Sequence, residues 1–284
     1  MRLLVIGQSG QVARELAKLE LDAVFLSRRE LDLTDKSQIK GTILRQNADA
    51  VINAAAYTNV DGAEEDRMTA KAVNADAPGE IAKACAMKGT PLVQISTDYV
   101  FDGSGEDPWM PGDKPGPLGV YGETKLVGER LVAAGGCPFA VLRTSWVFSE
   151  HGKNFVTTML RLAEQKSELS IVSDQIGGPT SAASIAEACV KIATELKADR
   201  GKSGIYHYSG ASDVSWADFA RAIFELAGKD VKVSDILTAQ YPTPARRPKN
   251  SRLDCSAIEH AFKIKRPDWK KDLSAVLESM KVST

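Results

Sequence analysis

The chain has 284 residues, of which 43% are apolar, and Lys plus Arg (36) nearly balances Asp plus Glu (37). That length suits one large domain or a main domain with a smaller lobe. The near-neutral charge argues against a general nucleic-acid binder or a membrane-surface protein.

The first elements alternate between strand and helix. LLVIG (3–7) reads as a buried strand and leads into a helix from about Gly10 to Leu19. AVFLS (23–27) is the next strand, SQIKGTILRQN suggests a helix, and AVINAAA (50–56) is a third strand. Helical patterning fills much of 62–88, PLVQIST (91–97) is a fourth strand, and Tyr121 opens a helix to about Ala134. PFAVLRTSWVF (138–148) is strand-like and runs on into a loop. The strands are apolar throughout rather than alternating, which implies a parallel sheet covered on both faces. With right-handed crossovers this is an α/β, doubly wound Rossmann-type parallel sheet.

After about residue 150 the rhythm loosens. Helices are expected near 153–166, 181–197 and 215–227, separated by extended pieces such as LSIV and GIYHY. The proline-rich segment 238–254 reads as an ordered loop. The expected division is a nucleotide-binding domain over 1–150 and, over 151–284, mainly a smaller C-terminal substrate-binding lobe with some segments returning to the sheet.

Four cysteines (Cys85, Cys137, Cys189, Cys255) are widely spaced without a CxxC, and the three histidines are scattered. Reduced thiols in a cytoplasmic protein are expected, and no metal. The opening LLVI is too short for a signal peptide's core, and no run reaches membrane-spanning length.

Chemistry-bearing residues cluster at strand ends. In GQSGQVA (7–13), Gly7 and Gly10 permit a tight turn and close approach of a pyrophosphate to a helix N-terminus, with Ala13 at the third glycine position. Ser27-Arg28-Arg29 ends the second strand, where an arginine fork could take a 2′-phosphate and so favour NADP over NAD; an ordinary solvated basic turn is the alternative. Asp32 follows and could approach the adenine. Ala55, Ala56 and Tyr57, in NAAAYTNVD, would line a flat ligand at the third strand's end, although small residues also suit plain helix packing. STDYVFDG (96–103) puts Thr97 and Asp98 at the carboxyl end of a central strand, where such sheets bind ligands, and also where turn formers are common. In VYGETKLVGE (120–129), Tyr121 and Lys125 lie one helical turn apart. A phenol titrates near pH 10, and a neighbouring cation would stabilise its phenolate, which suits a proton donor in carbonyl reduction.

Together with RTSWVF (143–148), DQIGGPT (174–180) and YPTPARRPKNSRLD (241–254), these motifs resemble the dTDP-4-dehydrorhamnose reductase family of extended short-chain dehydrogenases/reductases, over most of the chain. Tyr-x-x-x-Lys indicates only the superfamily, and the later motifs point to this branch. The resemblance implies reduction of a dTDP-4-keto sugar by NADPH, or NADH, in dTDP-rhamnose biosynthesis. It implies Tyr121 as proton donor, Lys125 lowering its pKa and holding the nicotinamide ribose, and Thr97 polarising the carbonyl. Gly7, Gly10, Gln11, Val12, Ser27, Arg28, Asp32, Leu33, Ala55, Ala56 and Tyr57 would then hold the cofactor. Asp98, Tyr99 and Trp146 would join Thr97 on the dTDP-sugar. Many relatives carry glycine at Ala13 and histidine at Tyr57. Some form a homodimer through magnesium held by glutamates; Glu15 is present, but no second ligand in the later helix SAASIAEA is matched to theirs, and no metal is predicted. The charges of ARRPKN (245–250) could meet a diphosphate or simply face solvent. Another nucleotide-sugar reductase or epimerase, and a non-catalytic subunit related to the methionine adenosyltransferase regulatory subunit, are the competing readings.

Overall fold

A computed structural model describes residues 1–282. Among these, six strands form one all-parallel sheet: β1 (Leu3–Ile6), β2 (Ala23–Leu26), β3 (Ala50–Asn53), β4 (Leu92–Thr97), β5 (Phe139–Thr144) and β6 (Gly204–His207). They lie in the order β6-β5-β4-β3-β1-β2. The principal helices are α1 (Gln11–Lys18), α2 (Lys36–Arg45), α3 (Ala77–Lys88), α4 (Val120–Ala133), α5 (Phe155–Ala163), α6 (Ala182–Ala198), α7 (Trp216–Ala227) and α8 (Trp269–Val282).

The side-chain period of two explains the unbroken apolar strands. Leu3, Val5 and Ile52 point to one face, where they meet Leu16 of α1 and Ile185, Cys189 and Ile192 of α6. Leu4, Ile6 and Val51 point to the other, against Ile39 and Ile43 of α2 and Ile81 of α3. Local signals set the helix ends. Ser181 accepts a hydrogen bond from the Ser184 N–H at the start of α6, and Asn154 with Thr157 forms a capping box at α5.

Beyond β5 the chain builds a second core from Phe148, Met159, Ile171, Phe219, Trp269 and Leu273. Short strand pairs frame it: Glu168–Val172 runs parallel to Lys232–Ile236, and Ile176–Gly177 lies between Val214–Ser215 and Asn250–Ser251. GIYH does not stay with these pieces. It returns as β6, in register with β5 through Gly204 and Ala140.

Two expected elements are altered. The third strand stops at Asn53, because the Ala55 N–H turns to the Asn53 side chain and leaves the ladder. The helical stretch 62–88 is broken into Val60–Glu65, Arg67–Lys71, a π-helical turn Ala72–Asp76, and α3.

Candidate active site

The chain leaves β1 toward β2 on one side and returns to β3 on the other. The strand order therefore reverses at the carboxyl ends of β1 and β3, where a crevice opens. A cavity of about 910 Å³ lies there and extends to the ends of β4 and β5.

Its first half is built by the glycine turn. Gly7 has φ +108°, and a Cβ there would press within 3.3 Å of the Ala55 backbone nitrogen. Gly10 precedes α1, and no side chain caps that helix start, so its N–H groups are available to an anion. Gln11 is fixed from far along the chain: its Oε1 accepts from Ser149 Oγ at 2.8 Å and from Asn154 Nδ2 at 3.1 Å. Across the crevice, Ala54 to Thr58 form the opposite wall. The buried Asn74 side chain holds this loop, accepting from the Tyr57 N–H at 2.9 Å and donating to the Tyr57 carbonyl oxygen at 3.0 Å. Arg28, Asp32 and Leu33 close the far end, with Arg28 Nε 3.7 Å from Asp32 Oδ2. These features fit a dinucleotide: a positive-φ glycine, an open helix start and a cation at the ribose end. Ser27 departs from expectation. It is absent from the cavity wall, because its N–H and hydroxyl both donate to Glu30 Oε2, at 2.8 and 2.7 Å.

The second half carries Thr97, Asp98, Tyr99, Tyr121 and Lys125 together on one wall. Thr97 Oγ1 donates to Asp98 Oδ1 at 3.0 Å, accepts from the Tyr99 N–H at 3.2 Å, and lies within hydrogen-bond reach of the Tyr121 phenol. Burial raises the Tyr121 pKa to about 12, against the lowering by Thr97 and with the Asp98 charge adding to the rise, so the phenol carries its proton. Burial likewise raises Asp98 to about 6. Lys125 is buried, donates to the Ile95 carbonyl oxygen at 2.7 Å, and is lowered by burial to about 8 although Glu129 pulls it up. Thr97 is the one group that works against this rise, and burial outweighs it; the lysine ammonium is engaged by the strand.

Behind this wall sits a buried ion pair. Glu129, one turn beyond Lys125 on α4, takes Arg143 Nη2 at 2.7 Å and Ser96 Oγ at 2.5 Å. It thereby ties α4 to β4 and β5. Gly122 permits the same closeness at the reactive end, since a Cβ there would lie 2.1 Å from the Tyr99 carbonyl oxygen.

Trp146 also lines the cavity, in a left-handed conformation with φ +50°. It stacks on Trp216, ring centroids 3.6 Å apart, so at most one ring face remains for a ligand. The ARRPKN charges lie off the cavity wall. Arg247 pairs with Asp61 at 2.8 Å and Lys249 with Asp174 at 3.0 Å, so both serve to hold the loop; Arg246 is exposed. Elsewhere, Glu15, Glu150 and His151 bring ligand atoms within 4.8 Å of one another. Lys18 already donates to both carboxylates, at 3.0 and 2.8 Å.

The residues that sequence reasoning passed over are mostly supports. Asn74 and Glu129 are buried polar groups inside helical patterns, and Gly122 is a glycine inside a helix; each is a local oddity that signals a special contact. Gly152, Lys153 and Asn154 on the cavity wall carry no such signal.

The family model described as "RmlD substrate binding domain" matches residues 1–282. The chain is 44% identical to a dTDP-4-dehydrorhamnose reductase of Sinorhizobium fredii, covering 95% of this chain and 94% of the relative. It is 42% identical to one of Aggregatibacter actinomycetemcomitans, over 97% and 98%. Among solved structures, a dTDP-4-dehydrorhamnose reductase of Clostridium acetobutylicum superposes with TM-score 0.92 at 35% identity, covering 99% of this chain and all of that one (100%). One of Bacillus anthracis in complex with NADP gives 0.89 at 33%, over 100% and 99%.

Proposed function

The chain belongs to the RmlD substrate-binding-domain family, and from that membership and its Thr97–Tyr121–Lys125 wall we propose that it is a dTDP-4-dehydrorhamnose reductase. It converts a dTDP-4-keto sugar to dTDP-L-rhamnose. The observation that carries this reading is the convergence of those three side chains on the same cavity as the glycine turn.

The nicotinamide cofactor, when bound, supplies the hydride to the keto carbon. The chain's own groups manage the proton. Tyr121 gives its phenolic proton to the former keto oxygen, and burial ensures that the proton is there to give. Thr97 can turn its hydroxyl from Asp98 to that oxygen and polarise it. Lys125, one turn along α4, provides the positive charge that steadies the phenolate left behind. Gly7, Gly10, Gln11 and Val12 cradle the pyrophosphate, Ala55, Ala56 and Tyr57 border the cofactor, and Asp98, Tyr99 and Trp146 receive the sugar. The exposed Arg28 fork favours NADPH.

Residues 1–150 serve as the nucleotide-binding domain, and residues 151–284 mainly form the smaller lobe, with α6 and β6 returning to the sheet. No helix among the described residues is long and apolar enough to cross a membrane, and all four cysteines are free and buried, which supports a reducing cytoplasmic setting. Incubation with NADPH and a panel of nucleotide 4-keto sugars, followed by loss of nicotinamide absorbance, tests the assignment. Turnover confined to dTDP-4-dehydro-L-rhamnose is expected; preference for another sugar nucleotide would overturn it.

A further inference from the structure

Three cationic side chains line the cavity among the described residues: Arg28, Lys125 and Lys153. Two have partners. Arg28 lies by Asp32, and Lys125 donates to the Ile95 carbonyl oxygen. The Lys153 side chain makes no hydrogen bond or ion pair among the described residues.

Its location is set by neighbours. Lys153 belongs to the short loop between the strand Val147–Phe148 and α5. On one side, Asn154 donates to Gln11 Oε1 at 3.1 Å and to the Ser149 carbonyl oxygen at 2.8 Å, and its Oδ1 caps α5. On the other, the Ser149 hydroxyl donates to the same Gln11 oxygen at 2.8 Å. The loop is thus pinned against the first residue of α1, beside the open N–H groups that follow Gly10. A dinucleotide pyrophosphate carries two negative charges, whereas the glycine turn offers only neutral donors. Arg28 sits at the far, ribose end.

We infer that Lys153 is the cofactor's pyrophosphate clamp, reaching from the second lobe over the glycine turn. The inference rests on the cofactor reading given above. Asn154 and Ser149 act as positioning residues: they hold Gln11 and the lysine-bearing loop in one arrangement, so that cofactor binding joins the two lobes electrostatically. A lysine is suited to this, as a point charge on a flexible stem that tolerates a mobile diphosphate.

The full chain, Lys153→Gln, Lys153→Glu and Lys153→Arg are titrated with NADPH by nicotinamide fluorescence, and with 5′-ADP, adenosine and dTDP by calorimetry. Charge-assisted contacts to phosphate predict about tenfold weaker NADPH and ADP binding in Lys153→Gln and a larger loss in Lys153→Glu. Lys153→Arg should stay within about twofold. Adenosine and dTDP affinities should not change, and kcat at saturating NADPH should hold. The parent's NADPH affinity should also fall more steeply with salt than that of Lys153→Gln. Equal NADPH binding by parent and Lys153→Gln overturns the clamp while leaving the cofactor reading intact. A loss confined to dTDP assigns the lysine to the substrate diphosphate and overturns it too. Failure of the parent to bind NADPH overturns the cofactor reading, and the clamp with it.

Discussion

Glu129 and Arg143 form a buried ion pair, each 2% exposed, directly behind the wall that carries Tyr121 and Lys125. Glu129 Oε2 is 2.7 Å from Arg143 Nη2, and the Arg143 Nε donates to Oε1 at 3.0 Å. Removing one partner of such a pair leaves an uncompensated buried charge, at a cost of about 3–5 kcal/mol. Glu129→Gln should therefore lower stability by roughly that range, read as a fall in denaturation midpoint at unchanged m-value.

The same carboxylate supports the Lys125 charge. A buried lysine whose pKa is depressed to about 8 loses its proton as pH rises through that value. The alkaline limb of kcat/KM should accordingly fall near pH 8 in the parent. In Glu129→Gln, with the supporting charge gone, the limb should move to lower pH. A limb that stays in place would separate Glu129 from the tuning of Lys125.

Tyr121→Phe removes the proton donor but keeps the ring against Tyr99, whose centroid lies 5.5 Å away. Turnover should drop by about 10²- to 10⁴-fold, the usual worth of general acid catalysis, with NADPH affinity nearly unchanged. Parent-like turnover would refute the assigned role.

Asp98 gives a pH effect of unusual sign. Its folded pKa, raised by burial to about 6, lies above the ordinary carboxylate value of 3.8. Between those values the folded state binds more protons than the unfolded state, so stability declines as pH rises from about 4 through about 6. Asp98→Asn should be more stable than the parent at pH 7.5, by at most roughly 3 kcal/mol, and the two should converge near pH 4. Thermal melts at both pH values check this.

Much of this was legible because it is local. LLVI, AVIN and LVQIST read as strands since both sheet faces are covered, and Thr97, Tyr121 and Lys125 could be placed by strand end and helical spacing. What was not legible depends on meetings between distant segments. Gln11 meets Asn154 across 143 residues, and Tyr57 meets Asn74 across 17. Periodicity can mark GIYH as extended but cannot say that it pairs with β5. The tie of Ser27 to Glu30 was likewise hidden, because a strand-end serine near a cofactor and a serine bonded to a nearby glutamate look alike in sequence.

Asn74→Ala tests one such meeting. It removes both hydrogen bonds that hold the Tyr57 backbone, at 2.9 and 3.0 Å. The KM for NADPH should rise several-fold, by about 1–3 kcal/mol of lost loop restraint at most, while the pH profile of kcat is kept.

The late arrival of α6 and β6 has a consequence for biosynthesis. While the ribosome has delivered only the first five strands, Leu3, Val5, Ile52 and Val93 still lack the cover of Ile185, Cys189 and Ile192. The growing chain therefore carries a sheet face that Leu16 of α1 covers only in part until about two-thirds of the chain has been made. Closing of that face waits for α6 rather than for the end of synthesis, and the interval before it is when chaperones would engage the chain.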